Sequence, residues 1–500
     1  MAALEIVCGV AVTFLLIYYY LTKNYGFWKQ RGVVGPVPSV PFGNIKDTIL
    51  GKFAFGILLK QFYDKYKGEQ MVGIFVRSTP ALVLRDPELI KDVLIKDFTV
   101  FANRGLKHNA KVDPLSANLV FLDEKEWRPL RKKLTPVFNS GKLKQMFYLL
   151  LECGDMFDKY LDHLSEKNEP IDCRDITAKF ATEVISAVAF GLKTNSIADG
   201  NNEFRKMGIK VFEPSLKKTT NDLMREAMPW LYSILGKYLV NGECIDFFTK
   251  CIKDTMEYRK QNKIVRHDFV DLLVDIKEHA DDITDIEITD ALLTAQAFVF
   301  FTGGFEASSI TMGNALYEMA LHQEMQDKLR QEIKEEIKKN NGELTYEGVM
   351  NMQYLDMVFK ETMRKYPPGA LVARESSQPY TFRETKITIP KKFKIFIPIL
   401  GLHRDPEIYP SPETFDPERF TKKAIAARHP MSYLPFGDGP RKCIGARFAL
   451  YQSKIGLIKF LLRHKVNKCD KTKVPYEFHP RTTVLSPKDG IYVKISTVSV

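Results

Sequence analysis

The feature that most constrains this fold is a long helical pattern in the middle of the chain with an apolar centre. The pattern starts at Thr284 and Glu287, which have the spacing of a capping box, and it continues to about His322. At 1.5 Å per residue, a helix of this length is roughly 50 Å long. Residues 297–301 are apolar on every face of the helix. Because such a helix must be covered on all sides, the sequence predicts a helix-rich fold built around it.

Two adjacent glycines follow the apolar centre of this helical pattern. Gly303 and Gly304 should each cost about 1 kcal/mol relative to alanine in a helix interior. We therefore expect a compensating role at this point, such as the close approach of a ligand or a groove for a bound molecule. Glu306 comes next on the same apolar helix. It needs a partner or a chemical function, because burying an unpaired carboxylate is costly.

A glycine-rich turn with a single cysteine occupies residues 436–449 and leads into another helical pattern. Cys443 lies close to the start of that helix, where backbone N–H groups are unpaired and the helix dipole is positive. Arg441 and Lys442 add positive charge, and these features together favour the thiolate over the thiol. A thiolate on an open, glycine-lined loop suits a soft metal. The alternative is a structural cysteine buried before a core helix.

Charge and cysteine content limit the partners and the compartment. The net charge of +12 favours an anionic partner, such as an acidic protein surface or anionic lipid. The sequence has no recognisable nucleic-acid motif, and its basic residues are spread along the chain. The seven cysteines are irregularly spaced and include no Cys-x-x-Cys pair. This pattern argues against a disulfide framework and for a reducing compartment.

The N-terminal segment is an apolar run from Ala2 to Tyr20 with Glu5 as its single charge. About 20 such residues span a bilayer as a helix. A cleaved signal peptide is the alternative, but the run lacks a basic segment before it and a small-residue cleavage site after it. Basic residues behind the run hold the rest of the chain in the cytosol. The prediction is an uncleaved transmembrane anchor, a stiff proline-rich linker and a catalytic domain, at residues 1–22, 23–45 and 46–500.

Five positions of the cysteine turn match a known pattern. Phe-x-x-Gly-x-Arg-x-Cys-x-Gly is formed by Phe436, Gly439, Arg441, Cys443 and Gly445. It resembles the haem-binding signature of the cytochrome P450 family. Within that family the chain is most similar to animal microsomal enzymes, in particular insect enzymes that metabolise xenobiotics. The resemblance implies one large, mainly α-helical domain with a small β-rich lobe, preceded by the transmembrane helix.

The resemblance also implies a b-type haem whose iron is bound by the Cys443 thiolate. Trp127 and Arg131, four residues apart, look like the family's pair that holds a haem propionate. Other arginines would join them, because a guanidinium fits a carboxylate. The expected cofactor-binding residues are Arg104, Trp127, Arg131, Gly303, Gly304, Arg374, Phe436, Arg441, Cys443 and Gly445. A buried ion network behind the haem is expected from Glu361, Arg364 and Arg419, and such a network fixes geometry more than it adds stability.

In this family the central helix crosses the oxygen-binding side of the haem with a small-Gly-x-acid-Thr pattern. Ala307 stands where the family has a threonine whose hydroxyl ordinarily helps to deliver protons to oxygen. Ser308, about 100° further round the helix, an ordered water or a substrate hydroxyl could replace it. The predicted catalytic positions are Glu306, Ala307 and Ser308, and the predicted pocket residues of this helix are Phe298 and Phe301.

The implied activity is that of a haem-thiolate monooxygenase, which inserts one oxygen atom from O2 into a lipophilic small molecule. Electrons would come from NADPH through cytochrome P450 reductase, with cytochrome b5 as an optional second donor, at the endoplasmic reticulum membrane. A basic docking surface is expected at Arg128, Lys132, Lys133, Lys442 and Arg447. One alternative, supported by Ala307, is an isomerase or dehydratase that acts on a hydroperoxide without a reductase. The other is a non-catalytic haem sensor or carrier, which Glu306, the paired glycines and the anchor disfavour.

Overall fold

Helices dominate the computed structural model, which describes residues 1–213, 215–280, 286–383 and 385–498. In the first half of the chain the α-helices are α1 (Ala2–Thr22), α2 (Lys46–Ile49), α3 (Phe55–Lys65), α4 (Pro87–Lys91), α5 (Glu124–Leu134), α6 (Ser140–Lys167), α7 (Cys173–Ile185), α8 (Glu203–Phe212), α9 (Leu216–Ala227) and α10 (Pro229–Leu235). In the second half they are α11 (Gly242–Asn262), α12 (Phe269–Glu278), α13 (Asp290–Leu321), α14 (Gln323–Lys339), α15 (Tyr346–Asn351), α16 (Gln353–Lys365), α17 (Ile399–His403), α18 (Lys422–Ala426) and α19 (Ala446–Arg463).

The strands are short and form a small lobe beside the helices. They are β1 (Met71–Val76), β2 (Thr79–Leu84), β3 (Ile171–Asp172), β4 (Val372–Glu375), β5 (Tyr380–Thr381), β6 (Thr388–Ile389), β7 (Lys394–Ile397), β8 (His464–Asn467) and β9 (Tyr492–Thr497). One sheet has the order β1-β2-β7-β4, in which β2 and β7 are parallel and the other pairs are antiparallel. The strands β3-β9-β8 form a second sheet, and β5 and β6 pair with each other. The predicted architecture, mainly α with a small β-rich lobe, is confirmed.

The central helix α13 is buried along most of its length, as its apolar sequence predicts. It packs against α7, α19, α11 and α16. Its start differs from the prediction, because the helix begins at Asp290, where the Thr289 hydroxyl accepts a hydrogen bond from the Leu292 N–H at 3.1 Å. Thr284 of the expected capping box lies outside the described residues, and Glu287 precedes the helix. The pattern therefore identifies the helix but places its start too early.

The N-terminal helix α1 is exposed along its whole length and is apolar enough to cross a membrane, with a mean hydropathy of 2.0. The segment after it, predicted as a linker, is packed onto the body. Trp28 is buried, and its Nε1 donates a hydrogen bond to the Ile74 carbonyl at 3.0 Å. The Gly73 N–H donates to the Val34 carbonyl at 2.8 Å. Contacts with β1 therefore fix the proline-rich segment to the sheet.

Strand pairing was the least predictable part of the fold. The sequence predicts that residues 387–390 and 394–398 pair with each other. Instead, β6 pairs with β5, and β7 lies between β2 and β4 in the larger sheet. The prediction was wrong because β7 takes a partner from the distant N-terminal part of the chain, which local spacing does not reveal.

Candidate active site

The cysteine turn is held in place by its own backbone and by close packing. The Cys443 N–H donates a hydrogen bond to the Phe436 carbonyl at 2.9 Å. Gly439 has a positive φ of 72°, and a Cβ at this position would lie 1.9 Å from the carbonyl oxygen of Leu94. Only glycine fits this position. Gly445 is the N-cap of α19, so the turn meets a helix N-terminus as the sequence predicts.

A cavity of about 520 Å³ lies between this turn and α13. All of the residues that the family resemblance assigns to the cofactor line it: Arg104, Trp127, Arg131, Gly303, Gly304, Arg374, Phe436, Arg441, Cys443 and Gly445. They come from distant parts of the chain. The remainder of the wall is mainly apolar. The fold thus brings the separate sequence motifs to one enclosed space.

Cys443 is exposed to this cavity but otherwise surrounded by protein. Burial raises the pKa of its thiol, and this effect is offset only in part by the Gly445 backbone N–H and by the charges of Arg131 and Arg104. The backbone N–H and the neighbouring positive charges favour the thiolate, as expected, but burial of the thiol has the larger effect. The charges that oppose burial also differ from the expected Arg441 and Lys442. A thiol that coordinates a metal ion is deprotonated, and its proton is released to solvent.

Three arginines lie together at the side of the cavity, and their hydrogen bonds within the protein go to backbone carbonyls. Arg441 donates from Nε to Ala102 at 2.8 Å, and Arg104 donates from Nη1 to Val120 at 3.0 Å. Arg374 is 2% exposed, and its Nε has no hydrogen-bond partner within the described residues. Arg441 also lies over the Trp127 ring, 4.0 Å from its centroid, which is a favourable cation–π arrangement.

The positive charges of these arginines repel one another, which adds to the free-energy cost of burying them. Burial lowers the pKa of Arg104 to about 10. Burial, with the charge of Arg104 as the second cause, lowers the pKa values of Arg374 and Arg441 to about 9. Asp123 and Glu124 act on Arg441 only as minor opposing charges. Among the described residues that line the cavity, none is an aspartate or glutamate. A buried group of positive charges of this kind suits a ligand with carboxylates. The donor set therefore fits a haem, which offers an iron for Cys443 and two propionates for the arginines.

The opposite wall of the cavity is the face of α13 that carries the glycines. A Cβ at Gly303 would meet no atom within 4 Å, so the helix leaves open space there. A Cβ at Gly304 would lie 2.4 Å from Cδ1 of Ile185. The two glycines therefore serve different purposes. Gly303 leaves room in the cavity, and Gly304 allows close packing of α7 against α13.

The predicted catalytic residues occupy different environments. Ala307 and Ser308 line the cavity, and the buried Ser308 Oγ has no hydrogen-bond partner within the described part of the chain. Thr311, one turn further along, also lines the cavity and donates its hydroxyl to the Ala307 carbonyl at 2.8 Å. Glu306 is 4% exposed and forms a close ion pair with Arg174 of α7. Glu306 is not among the described cavity-lining residues, so its buried charge has a partner in the protein rather than direct contact with the cavity.

Some cavity residues were missed because the pocket was assigned to the wrong face of the helix. Phe301 was predicted to line the pocket, but it is fully buried in the core against Phe248. Phe298 also packs on Phe248, at 5.1 Å between ring centroids. The cavity is lined instead by Gln296, Val299, Phe300 and Thr311. Steps of three or four residues from Gly303 would have found this face.

The predicted ion network is present behind the cavity. Arg364 and Glu361 are fully buried and form two hydrogen bonds, of 2.6 Å and 2.8 Å. Arg419 lies 3.6 Å from Glu361, and the Asp416 N–H donates to Glu361 at 2.9 Å. Arg364 also donates to the His403 carbonyl at 2.9 Å. The network joins α16, α17 and the segment around Asp416 into one rigid unit.

Comparisons with known proteins agree with this arrangement. The family model described as Cytochrome P450 matches residues 35–495. The chain is 40% identical over 491 residues to cytochrome P450 6A1 of Musca domestica, covering 97% of this chain and 96% of the relative. It is 38% identical to cytochrome P450 6k1 of Blattella germanica, with 96% and 95% covered, and 36% identical to cytochrome P450 6B1 of Papilio polyxenes, with 96% and 97% covered.

Proposed function

The chain belongs to the cytochrome P450 family and is a monooxygenase, and we propose that its cavity holds a b-type haem with which it inserts one oxygen atom from O2 into a lipophilic small molecule. One observation carries this proposal. A single cavity combines the Cys443 thiol, buried arginines without a carboxylate among the described lining residues, and the open face of Gly303. Its mainly apolar wall favours a lipophilic substrate. The insect relatives support a role in xenobiotic metabolism.

In this proposal Cys443 binds the iron, and Arg104, Arg374 and Arg441 bind the propionates with Trp127 and Arg131 beside them. When bound, the haem supplies the reduction of O2 and the transfer of one oxygen atom, and a thiolate ligand favours cleavage of the O–O bond. The reaction consumes O2, two electrons and two protons, and it yields the hydroxylated product and water. The protein must therefore admit protons to a cavity whose apolar walls exclude bulk water.

We assign the last protein step of proton delivery to Ser308. Ala307 has no hydroxyl, whereas Ser308 lines the cavity and its buried Oγ has no hydrogen-bond partner in the described residues. A hydroxyl can accept one proton and donate another, so it can pass a proton on without carrying charge. Glu306 lies behind this position, paired with Arg174. It would act as a positioning residue for the helix or as a proton source that requires release from Arg174.

Electrons would arrive from an NADPH-dependent reductase on the basic side of α5, with cytochrome b5 as an optional second donor. Lys132, Lys133 and Arg128 line an open groove of about 1020 Å³ on this side. The groove is larger than the central cavity, but Cys443 is not among its lining residues. Its opposite wall carries Asp271 and Asp275, so an acidic partner would contact the basic wall alone.

The helix α1 would anchor the protein in the endoplasmic reticulum membrane, with the catalytic domain in the cytosol. Its length of 21 residues and its full exposure support a membrane span. The basic residues that follow it, Lys23, Lys29 and Arg31, support the cytosolic orientation. A lipophilic substrate would then partition into the same membrane.

The proposal is tested with purified holoprotein. We expect product from at least one member of a lipophilic panel when reductase and NADPH are supplied, and we expect the thiolate-type carbon monoxide spectrum. Cys443→Ala should lose that spectrum. A variant that retains it would remove Cys443 as the iron ligand, and a wild-type protein that binds no haem would remove the proposed function.

A second candidate is a haem-thiolate isomerase or dehydratase that consumes a hydroperoxide without a reductase. The observation that favours it is Ala307 on the cavity wall in place of a hydroxyl-bearing residue. It would be preferred if a hydroperoxide is consumed rapidly while reductase and NADPH give no product from any substrate of the panel. Turnover in either assay excludes a non-catalytic sensor or carrier.

A further inference from the structure

Gln296 is a buried polar residue on α13, about two turns before the paired glycines. Its side-chain amide makes three hydrogen bonds. Nε2 donates to the Ala117 carbonyl at 2.9 Å and to the Leu292 carbonyl at 2.8 Å, and Oε1 accepts from the Leu119 N–H at 3.1 Å. This set of partners fixes the orientation of the amide. If the amide were flipped, its NH2 group would face the Leu119 N–H, and two donors would be placed opposite each other. Gln296 therefore ties α13 to the loop that contains Ala117 and Leu119.

That loop forms part of the cavity wall and holds the arginines. Leu119 and Val120 line the cavity. The Leu119 carbonyl accepts hydrogen bonds from both Arg104 and Arg441, each at 3.3 Å, and the Val120 carbonyl accepts from Arg104 at 3.0 Å. Leu119 is thus held on one side by Gln296 through its N–H and on the other by the two arginines through its carbonyl.

The loop does not depend on Gln296 for its own internal structure. Asn118 donates from Nδ2 to the Leu115 carbonyl at 2.7 Å and accepts from the Val120 N–H at 2.9 Å. The Leu122 N–H donates to the Asn118 carbonyl at 3.0 Å. These local bonds define the shape of the loop. Gln296 instead determines where the loop lies relative to α13.

We infer that Gln296 is a positioning residue for the cofactor: through Leu119 it holds Arg104 and Arg441 at a fixed position relative to α13, so that both guanidinium groups meet the carboxylates of the bound haem. This inference rests on the proposed function of the cavity. Gln296 lines the cavity as well, but its amide is fully used by the loop and by its own helix. Its action on the cofactor is therefore indirect.

The chain offers a matched control in Gln326 of α14. This residue is also fully buried, and its Nε2 donates to the carbonyls of Met319 and Val466 at 3.0 Å and 2.9 Å. Its Oε1 accepts from the Val466 N–H at 2.9 Å. Gln326, Met319 and Val466 are not among the described residues that line the cavity. The Gln326 Oε1 accepts a further hydrogen bond from Arg330 at 2.9 Å. Gln326→Leu therefore removes a comparable set of buried amide hydrogen bonds, plus this one, without touching the arginines of the cavity.

The experiment compares full-length holoprotein of the wild type, Gln296→Leu and Gln326→Leu. The three readouts are thermal unfolding, the rate of haem transfer to apomyoglobin, and the resonance Raman bands of the propionates. Both variants should unfold at a lower temperature, because both leave buried backbone groups unpaired. Only Gln296→Leu should speed haem loss, on the order of tenfold, and shift the propionate bands.

Two outcomes would overturn the inference while leaving the proposed function intact. One is a Gln296→Leu protein that loses haem no faster than Gln326→Leu. The other is unchanged propionate bands in Gln296→Leu. If Gln296→Leu gives no folded holoprotein, Gln296→Asn keeps the amide but shortens its reach, and it should show a smaller effect of the same kind; no effect in that variant also overturns the inference. A wild type without haem would instead reject the proposed function.

Discussion

Among the arginines of the described residues, two groups differ in their counter-charges: one group has a buried acidic partner, and the other has none among the residues that line its cavity. Arg364 is fully buried and binds the equally buried Glu361 through two hydrogen bonds. Arg104, Arg374 and Arg441 lie beside the cavity, where backbone carbonyls accept their hydrogen bonds and no described lining residue is acidic. The first group is complete, so it is part of the scaffold. The second lacks a counter-charge among the described lining residues, which agrees with its proposed role in binding the haem propionates.

The comparison shows why burial of charge alone does not identify a functional site. Both groups meet the same cost of removing charge from water. In the first group Glu361 offsets that cost. In the second group, neighbouring arginines lower the pKa values of Arg374 and Arg441. A bound anion would offset the free-energy cost of burying these charges. The two groups should therefore respond in opposite ways when one charged member is removed.

The largest effect is expected from Glu361→Ala, which leaves Arg364 buried without its partner. Removing one partner of a buried ion pair costs about 3–5 kcal/mol of folding free energy. The change would be measured as a shift of the chemical unfolding transition of the holoprotein. Glu152 is a useful control, because it pairs with Lys193 at 3.3 Å and both side chains are exposed, at 49% and 74%; Glu152→Ala should cost less than about 1 kcal/mol. Similar shifts for the two variants would remove the distinction between scaffold and surface pairs.

The opposite response is expected from Arg374→Met in the second group. Haem-free protein should unfold at the same temperature or a higher one, because an uncompensated buried charge is removed and its shape is largely kept. Haem affinity should fall by about 10–100-fold, which corresponds to the loss of about 1.5–3 kcal/mol from a charge-assisted hydrogen bond. Calorimetry of the haem-free form and haem titration measure the two quantities. A strongly destabilised haem-free protein with normal haem affinity would place Arg374 in the scaffold instead.

A pH effect is expected where the complete network meets the cysteine turn. His403 accepts a hydrogen bond from the Arg364 guanidinium at its carbonyl and one from the Leu434 N–H at Nε2, 2.8 Å away. Burial, followed by the charge of Arg364, lowers the pKa of His403 from 6.5 to about 3. Because the unfolded chain binds this proton more readily, the contribution is complete above about pH 6.5 and is lost as the pH falls toward 3. The loss should be about 2 kcal/mol at pH 5.

The matched variant for this pH effect is His403→Gln, whose side-chain oxygen can still accept the Leu434 N–H but does not titrate. Unfolding curves at pH 7 and pH 5 should show a smaller loss of stability in this variant than in the wild type. An equal loss in both proteins would mean that other groups account for the acid sensitivity.

The smallest effect is expected on α13, across the cavity from the cysteine turn. Ala307→Thr restores the hydroxyl that the family ordinarily has at this position. If proton delivery limits the reaction, the ratio of product formed to NADPH consumed should rise by about twofold, a change of less than about 0.5 kcal/mol in the relative barriers. An unchanged ratio would indicate that Ser308 or another route already delivers protons efficiently.

The sequence predicted the composition of the site better than its geometry. Cys443, Arg441, Trp127 and Arg131 could be found because they belong to motifs with fixed spacing, whereas Arg104 and Arg374 were expected from the family resemblance. The role of Glu361 also followed from spacing and order. Residue spacing does not show which side chain neutralises a buried charge. Arg174, the partner of Glu306, lies 132 residues away in sequence. The same limit explains the wrong pairing of β7, whose partner β2 is even more distant in sequence.

The degree of burial of each side chain could not be predicted from the sequence either. Local charges around Cys443 favour the thiolate, but their sum with desolvation has the opposite sign. Phe301 and Phe300 are indistinguishable by hydrophobicity, yet one lies in the core and the other on the cavity wall. Both the pKa of Cys443 and the positions of the two phenylalanines depend on how the side chains are packed. Only the packed structure provides that information.

The most direct test of the account compares the binding of haem and haem dimethyl ester, in which both propionates are uncharged, by haem-free protein. If the arginines beside the cavity bind the two propionates, the affinity of the wild type should be about a hundredfold higher for haem than for the ester. Arg374→Met should reduce that difference. Glu361→Ala, where it folds, should keep the preference. Equal affinity of the wild type for haem and its ester would contradict the claim that the unpaired arginines form the cofactor site.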